Sequence, residues 1–254
     1  MTIIKKIINK VVQLSSNKQN DCISNLFKDL ELIFSLPEED LIRLVNLKKD
    51  SKSQIFQDLY VLLESGFRKN GYFVEFGATN GKDLSNTYLL ETQFNWTGIL
   101  VEPGRVWHDE LKRNRKCNID TDCVWRDSKS LLNFNETNEP ELSTIVEYSG
   151  NDWASDRRKS GTSYQVNSIS LEDLLEKYNA PYLIDYLSID TEGSEYEILS
   201  NFNFDKFKFK IITCEHNYTS MRKDIYNLLV SKGYQRKYRG ISRWDDWYVL
   251  RNNE

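Results

Sequence analysis

The sequence predicts an α/β fold, in which a mostly parallel β-sheet is covered by helices and ends in an antiparallel hairpin. From residue 54 onward, short apolar runs typical of buried strands alternate with stretches of helical periodicity. Strands separated by helices must run parallel, with the helices on the two faces of the sheet. The last two strand-like segments, 233–239 and 246–252, have no helix between them. They therefore predict a terminal hairpin.

The first 50 residues read as a helical extension that is separate from the α/β part. Six apolar residues recur there at helical spacing: Ile3, Ile4, Ile7, Ile8, Val11 and Val12. Further helices are predicted over 20–34 and 36–47, the latter with Pro37 near its start. We expect residues 1–50 to form a cap or a homodimerisation arm. Attachment to a membrane surface through Lys5, Lys6 and Lys10 is an open alternative.

Residues 51–254 form the predicted α/β domain. Its strands are expected at 71–77, 97–103, 122–126, 184–190 and 209–217, and its helices at 53–66, 83–94, 106–114, 171–178, 194–202 and 221–233. The segment 127–168 interrupts this alternation with extra strand-like stretches around a polar centre. Insertions at the end of a sheet often carry specificity, so we expect this one to contact the substrate.

Composition excludes several classes of function. The net charge is −4 and the isoelectric point about 5.5, which argues against a nucleic-acid-binding protein. The four cysteines, Cys22, Cys117, Cys123 and Cys214, form no C-x-x-C pair, so zinc-ribbon and thioredoxin-type sites lack their spacing. Isolated thiols without a recognisable secretory signal suggest a reducing cytoplasm. No apolar run is long enough to span a bilayer.

A glycine turn follows the first strand, in the stretch FVEFGATNG at 73–81. A dinucleotide fingerprint would need a third glycine where Thr79 stands, because that glycine admits a pyrophosphate close to the backbone. The next strand ends in Glu102, where a carboxylate can accept both hydroxyls of a ribose. An adenosine without a pyrophosphate fits both facts. The sequence therefore predicts S-adenosylmethionine as the ligand.

Five segments together resemble the FkbM family of S-adenosylmethionine-dependent methyltransferases: SQIFQD, VEFGATNG, SNTYLLE, WTGILVEP and LSIDTEGSEYEIL. The resemblance spans about residues 53–250 and implies a class I, Rossmann-like fold with a seven-stranded sheet and O-methylation of a hydroxylated metabolite. It implies that the turn cradles the methionine end of the cofactor, that Glu102 holds the ribose, and that Asp122 and Cys123, at the end of the third strand, lie near the adenine. The cofactor-binding residues expected in this way are Glu75, Gly77, Ala78, Asn80, Gly81, Ser85, Asn86, Glu102, Asp122, Cys123 and Asp190.

Methyl transfer to an alcohol requires the hydroxyl to be aligned with the donor and to lose its proton. The fourth predicted strand ends in Asp190, and the fifth ends in Glu215, His216 and Asn217. We expect Asp190, Glu215 and His216 to hold Mg²⁺ or Mn²⁺, which would lower the pKa of the acceptor hydroxyl. A metal-free site, with His216 as general base and Asp190 as its partner, stays open. Acidic residues after Asp190, such as Glu195, have the simpler interpretation of helix-start residues.

The acceptor is expected to be a sugar or a nucleotide-linked sugar used for surface polysaccharide. This expectation comes from the family resemblance and from basic residues in the insertion. Arg157 and Arg158 are candidates for phosphate contacts, Trp153 for stacking, and Asn217 for hydrogen bonding to the substrate. A nicotinamide-dependent reductase is the alternative enzyme. Against it, the chain has Thr79 at the position of the middle glycine and has no Tyr-x-x-x-Lys pair. A non-catalytic protein of the same fold is the third possibility.

Overall fold

The computed structural model describes residues 17–150 and 152–251. The amphipathic segment predicted at the start of the chain lies outside these residues. The helical extension contains α1 (Asn17–Phe34) and α2 (Glu38–Leu47). Within the described ranges, no helix combines the length and the apolar character needed to cross a bilayer.

The remaining elements follow the predicted alternation. The helices are α3 (Gln57–Glu64), α4 (Tyr88–Phe94), α5 (His108–Asn114), α6 (Leu171–Lys177), α7 (Glu195–Ser200) and α8 (Met221–Ser231). The strands are β1 (Tyr72–Phe76), β2 (Thr97–Val101), β3 (Asn118–Asp120), β4 (Cys123–Trp125), β5 (Leu131–Thr137), β6 (Thr144–Ile145), β7 (Gly161–Ser170), β8 (Leu183–Ile189), β9 (Lys208–Glu215), β10 (Tyr234–Lys237) and β11 (Asp245–Leu250).

Seven strands form one sheet in the order β10-β11-β9-β8-β1-β2-β3. The pairs among β9, β8, β1, β2 and β3 are parallel, and β11 is antiparallel to both of its neighbours. This confirms the predicted seven-stranded sheet with a terminal hairpin. The chain leaves β1 toward β2 on one side, while β8 lies on the other. A crevice therefore opens at the carboxyl ends of β1 and β8, where open α/β sheets bind their ligands.

The third strand of the sheet differs from the prediction. The main sheet ends at β3, whereas the predicted strand at 122–126 is β4 and pairs with β7 through Cys123 and Ser168. β4 starts a second sheet with the order β4-β7-β5-β6, which contains the strands predicted within the insertion. The apolar run of β4 is buried in that second sheet. A short buried strand looks the same in sequence whichever sheet it joins.

The extension packs on the face of the sheet that carries α3. Leu44 and Ile33 contact a buried cluster that includes Leu59, Tyr60 and Trp247. At Gly240, an added Cβ would lie 2.4 Å from the backbone of Leu26 in α1, so only glycine permits this approach. The Gly240 N–H also donates to the buried carboxylate of Asp29. The extension is therefore anchored to the turn between β10 and β11.

Candidate active site

A cavity of about 780 Å³ opens at the carboxyl ends of the parallel strands. One side is formed by the turn after β1 and by the end of β2, and another by the ends of β8 and β9. The second sheet and the loop 140–145 close it from above. The volume falls in the range typical of small-molecule sites.

The glycine turn begins with a close backbone contact. Gly77 has φ +69°, and an added Cβ would lie 2.0 Å from the carbonyl oxygen of Asp190. Glycine is thus required because the ends of β1 and β8 almost touch here. Thr79, at the position of the absent glycine, also has a positive φ of 46°. Its N–H donates to Glu102 Oε2 at 2.8 Å.

Glu102 lies at the end of β2 and lines the cavity. Its second carboxylate oxygen accepts the N–H of Gly104 at 2.7 Å, so two backbone groups fix the side chain. Burial raises the pKa of Glu102 to about 7, against the opposing effect of these two hydrogen bonds. Each carboxylate oxygen has a second lone pair available, so the side chain can still accept hydroxyl groups.

The rest of the turn is held in place by hydrogen bonds to the buried Glu75 carboxylate. Glu75 Oε1 accepts the Asn86 N–H at 2.7 Å, and its Oε2 accepts the hydroxyls of Ser85 and Thr87. These contacts keep 83–87 as a loop, so the helix predicted from residue 83 begins only at Tyr88. Asn80 accepts the backbone N–H groups of Lys82 and Asp83, which tightens the turn.

Arg115, which the sequence analysis missed, completes this support. Its buried guanidinium donates to Gly81 O at 2.9 Å, to Thr87 Oγ1 at 2.8 Å and to Glu91 Oε2 at 2.8 Å. An added Cβ at Gly81 would lie 2.7 Å from the Arg115 side chain. Gly81 is therefore required for packing against Arg115, not for the approach of a ligand. Arg115 follows α5, and no local sequence pattern links it to the turn.

The predicted cofactor residues thus separate into two groups. Those that line the cavity are Glu75, Gly77, Asn86, Glu102, Cys123 and Asp190. Ala78, Asn80, Gly81, Ser85 and Asp122 do not line it. Asp122 lies beyond the end of β3, and its N–H is bonded to Asp120. Burial raises the pKa of the Cys123 thiol to about 12, so it stays protonated.

Three carboxylates meet on the opposite side of the cavity. Asp190, Glu192 and Glu215 each place an oxygen within 4.8 Å of the others. Desolvation raises the pKa of Asp190 to about 6 and, together with the Asp190 charge, raises the pKa values of Glu192 and Glu215 well above their ordinary value. Glu192, which the sequence left among residues following the strand, has φ +58° and turns into this cluster. Glu195 fits its helix-start interpretation, since it accepts the N–H groups of Thr191 and Gly193.

His216 is not part of this cluster, contrary to both of its predicted roles. It does not line the cavity; its Nδ1 accepts the Tyr218 N–H at 3.0 Å, and its Nε2 lies 3.6 Å from Asp246 Oδ1. Successive residues of an extended strand point to opposite faces. Because Glu215 points into the cavity, His216 points away from it. His216 is therefore not placed to act as the general base or as a metal ligand.

The family comparison agrees with this geometry. The chain matches the family described as "Methyltransferase FkbM domain" over residues 75–236, which is more than half of its length. The chain belongs to the FkbM methyltransferase family. It is accordingly a methyltransferase, and the family indicates S-adenosylmethionine as the methyl donor. No curated protein shows significant sequence similarity to the chain.

Solved structures similar to this FkbM chain are also methyltransferases. Precorrin-6y C5,15-methyltransferase from Geobacter metallireducens is 9% identical, with 71% of each chain covered and a TM-score of 0.41. The METTL16 methyltransferase domain is 14% identical, with 75% of this chain and 63% of the other covered and a TM-score of 0.39. Human methyltransferase 10 domain containing protein is 14% identical, with 88% and 96% covered and a TM-score of 0.40.

Within the insertion of this FkbM chain, the two arginines have different environments. Arg158 is fully buried and donates to Asp152 Oδ1 at 2.7 Å and to Glu192 Oε2 at 2.6 Å. It is therefore not available to bind substrate phosphates, because both carboxylates already occupy it. Arg157 is exposed, pairs with Glu139, and lies 5.6 Å from the centre of the Trp153 ring.

Trp153 and Asn217 lie at the boundary between the insertion and the carboxylate cluster. Both line the cavity, and the Trp153 indole N–H donates to Asn217 Oδ1 at 3.4 Å. Asn217 in turn donates to Glu215 Oε2 at 2.8 Å and to Glu192 Oε2 at 3.3 Å. Because Trp153 is 60% exposed, most of its ring is free to contact an acceptor.

The charges around the cavity have one sign. Among the described residues that line it, the charged ones are all acidic: Glu75, Glu102, Glu141, Asp190, Glu192 and Glu215. Arg158 and Arg115 offset part of this charge from behind the wall. The FkbM site therefore favours ligands that carry positive charge or none.

Proposed function

We propose that this chain transfers the methyl group of S-adenosylmethionine to a hydroxyl oxygen of a sugar-type acceptor. One observation carries the proposal. A single cavity joins the glycine turn and Glu102 on one side to a cluster of buried carboxylates with raised pKa values on the other. Buried carboxyl groups with pKa values near neutrality, set in a cleft, are typical of proton-transfer sites.

The residues present fit S-adenosylmethionine. Gly77 has no side chain, so its backbone is open to a ligand in the cavity. Glu102 has lone pairs for two ribose hydroxyls, and Cys123 offers an uncharged surface for a base. Asn86 lines the same cavity, and its buried Oδ1 has no hydrogen-bond partner, so it can accept from the cofactor's ammonium group. When bound, the cofactor supplies an electrophilic methyl group on a positively charged sulfur. The acidic lining offsets that charge.

The carboxylates supply the second requirement, removal of the acceptor's proton. Asp190, with a pKa raised to about 6, is ionised at neutral pH yet basic enough to accept a proton. Arg158 holds Glu192, and Asn217 holds Glu215, so both carboxylates have fixed orientations. An acceptor hydroxyl placed between Asp190 and Glu215 would thus meet an organised base.

Metal assistance is the second form of the same proposal, with a changed set of ligands. Asp190, Glu192 and Glu215 would hold Mg²⁺ or Mn²⁺, with Asn217 beside them, in place of the set that included His216. Oxygen ligands suit both ions. A nucleotide-linked sugar could be the acceptor only in this metal-assisted form. Its pyrophosphate is negatively charged, and a cation would be needed to offset the carboxylates around it.

Calorimetry and mass spectrometry test the proposal together. Titration with S-adenosylmethionine should show binding, and incubation with hydroxylated sugars should give products heavier by one methylene group. Chelation with EDTA, followed by addition of Mg²⁺, separates the two forms. Loss and recovery of activity supports the metal, and unchanged activity supports the carboxylate base. Absence of S-adenosylmethionine binding would contradict the whole proposal.

Three sequence predictions remain predictions alongside this function. These are the cytoplasmic location, the homodimer through the helical extension, and the use of the product in surface polysaccharide. The division into an extension over 1–50 and a catalytic domain over 51–254 is likewise proposed. Size-exclusion chromatography with light scattering tests the dimer directly.

A further inference from the structure

A second cavity, of about 530 Å³, lies between the helical extension and the catalytic domain. Leu26, Ile33 and Leu44 line it from the extension, and Leu59, Tyr60 and Trp247 from the domain. Its lining is apolar or aromatic apart from Gln54, Gly240 and Arg243. Its volume suits one small ligand or the chain of a larger one.

This second cavity adjoins the first one, which is the site of the proposed reaction and is called the methyl-transfer cavity from here on. Gln54 lines both of them. In the same segment Gln57 lines the first cavity and Phe56 the second, and in a second segment Trp244 lines the first and Arg243 the second. The two cavities therefore adjoin at the segments 54–57 and 243–244.

The segment 54–57, where the two cavities adjoin, also has an unusual backbone conformation. Phe56 has φ +65°, which is uncommon for a residue with a bulky side chain, and 41% of its surface is exposed. Gln57 fixes it by accepting the Ile55 N–H at 3.1 Å and donating to Asp245 Oδ2 at 2.9 Å. Such backbone conformations cluster at ligand sites.

A polar group in the second cavity has no partner. Tyr60 is only 5% exposed, and its hydroxyl makes no hydrogen bond. Its ring stacks on Trp247 with centroids 4.7 Å apart and meets Tyr238 edge-on at 5.4 Å, so packing fixes its position. A buried hydroxyl without a partner is costly and points to a ligand that would supply one.

We propose that the second cavity holds the apolar part of an elongated acceptor whose hydroxylated end reaches past Gln54 into the methyl-transfer cavity. The Tyr60 hydroxyl, which has no partner in the protein, donates to an ether or carbonyl oxygen where the apolar part carries one. The acceptor class is therefore an uncharged sugar or polyol joined to an alkyl or aryl group. This inference rests on the proposed function, since it assigns the two ends of one acceptor to two neighbouring cavities.

A series of alkyl β-glucosides with lengthening chains tests the assignment on the full-length chain in the presence of S-adenosylmethionine. Calorimetry gives the dissociation constant of each glucoside, and mass spectrometry gives the rate of methylation. We expect binding to tighten about fourfold for each methylene that the cavity buries. We expect kcat/KM to rise in parallel until the cavity is filled.

Two tryptophan variants on α2 form a matched pair. Leu44→Trp fills the second cavity from the extension. Ile42 lies on the same helix, is 54% exposed and does not line the cavity, so Ile42→Trp is its control. Leu44→Trp should abolish the gain with chain length and leave the affinity for S-adenosylmethionine unchanged. Ile42→Trp should preserve the gain.

Tyr60→Phe removes the unpartnered hydroxyl without changing the volume. It should weaken binding of glucosides whose chain carries an ether oxygen several-fold and leave binding of the plain alkyl glucosides unchanged, while the melting temperature of the free protein does not fall. Affinity independent of chain length would overturn the assignment, as would equal effects of the two tryptophan variants. Chain-dependent binding without faster methylation would also overturn it. Absence of S-adenosylmethionine binding, by contrast, would mark failure of the proposed function itself.

Discussion

The two sides of the methyl-transfer cavity are built differently. On the side proposed for the cofactor, Glu75 and Arg115 hold the loop between them through buried hydrogen bonds, so the turn keeps its shape without a ligand. On the acceptor side, Asp190, Glu192 and Glu215 crowd together with one arginine among them, and their pKa values are raised. The first side is organised for binding. The second retains unfavourable charge that a proton, a cation or an acceptor would relieve.

The largest expected effect lies on the acceptor side. Glu215→Gln keeps the shape of the side chain but removes one of the two carboxyl groups between which the acceptor hydroxyl is proposed to lie. We expect kcat to fall by about 10²–10⁴, the usual contribution of general acid–base groups. The dissociation constant for S-adenosylmethionine should change by less than about threefold, because binding energy on the cofactor side is left intact.

A matched control for this variant is Glu197→Gln on α7, which removes the half-buried carboxylate that pairs with Arg126. It should leave kcat unchanged. Equal losses in the two variants, measured by steady-state kinetics, would contradict a special role for Glu215.

Arg115→Met should produce the opposite pattern. Removing one partner of a buried ion pair costs about 3–5 kcal/mol, because Glu75 and Glu91 are left without a counter-charge. We expect a lower melting temperature and weaker binding of S-adenosylmethionine, with Arg115→Lys recovering part of both. Calorimetry and thermal unfolding measure the two effects.

Arg236→Met is the control for general loss of stability, since Arg236 pairs with Asp246 away from the turn. It should lower the melting temperature without changing the dissociation constant for the cofactor. If it weakens cofactor binding as strongly as Arg115→Met, the turn is not specifically supported by Arg115.

Glu102→Gln should have a smaller effect on binding, and it should also lower the melting temperature, because one amide oxygen cannot accept both backbone N–H groups that Glu102 accepts. Hydrogen bonds to a charged group contribute about 1.5–3 kcal/mol, so we expect affinity for S-adenosylmethionine to fall by about 10- to 150-fold. kcat at saturating cofactor should be nearly unchanged. A large loss of kcat would move Glu102 from binding to chemistry.

The smallest effect concerns pH. The folded-state pKa values of Glu102, at about 7, and Asp190, at about 6, lie above their ordinary values because of desolvation. The folded protein therefore binds more protons than the unfolded chain, and its stability falls as pH rises through these values. The melting temperature of the free protein should be higher at pH 5.5 than at pH 8, and Glu215→Gln should reduce the difference.

Several features of the site were predictable because they are local. The strand before Gly77, the turn itself and the strand ending at Glu102 follow from short-range pattern, and the structure places them as expected. His216 was predicted wrongly because strand alternation decides which of two adjacent residues enters the cavity. Arg158 was predicted to contact substrate phosphates, and its burial could not be foreseen because its two carboxylate partners, Asp152 and Glu192, meet it only in the folded chain.

The sequence by itself determined the alternation of strands and helices, the terminal hairpin, the glycine turn after the first strand and the carboxylate at the end of the second. These depend on periodicity, glycine conformation and a carboxylate at a strand end, all readable within about ten residues. The tertiary structure alone decided the support of the turn by Arg115, the entry of Glu192 into the carboxylate cluster, and the second cavity beside Tyr60. Those features join residues that are distant in the chain, and only packing brings such residues together.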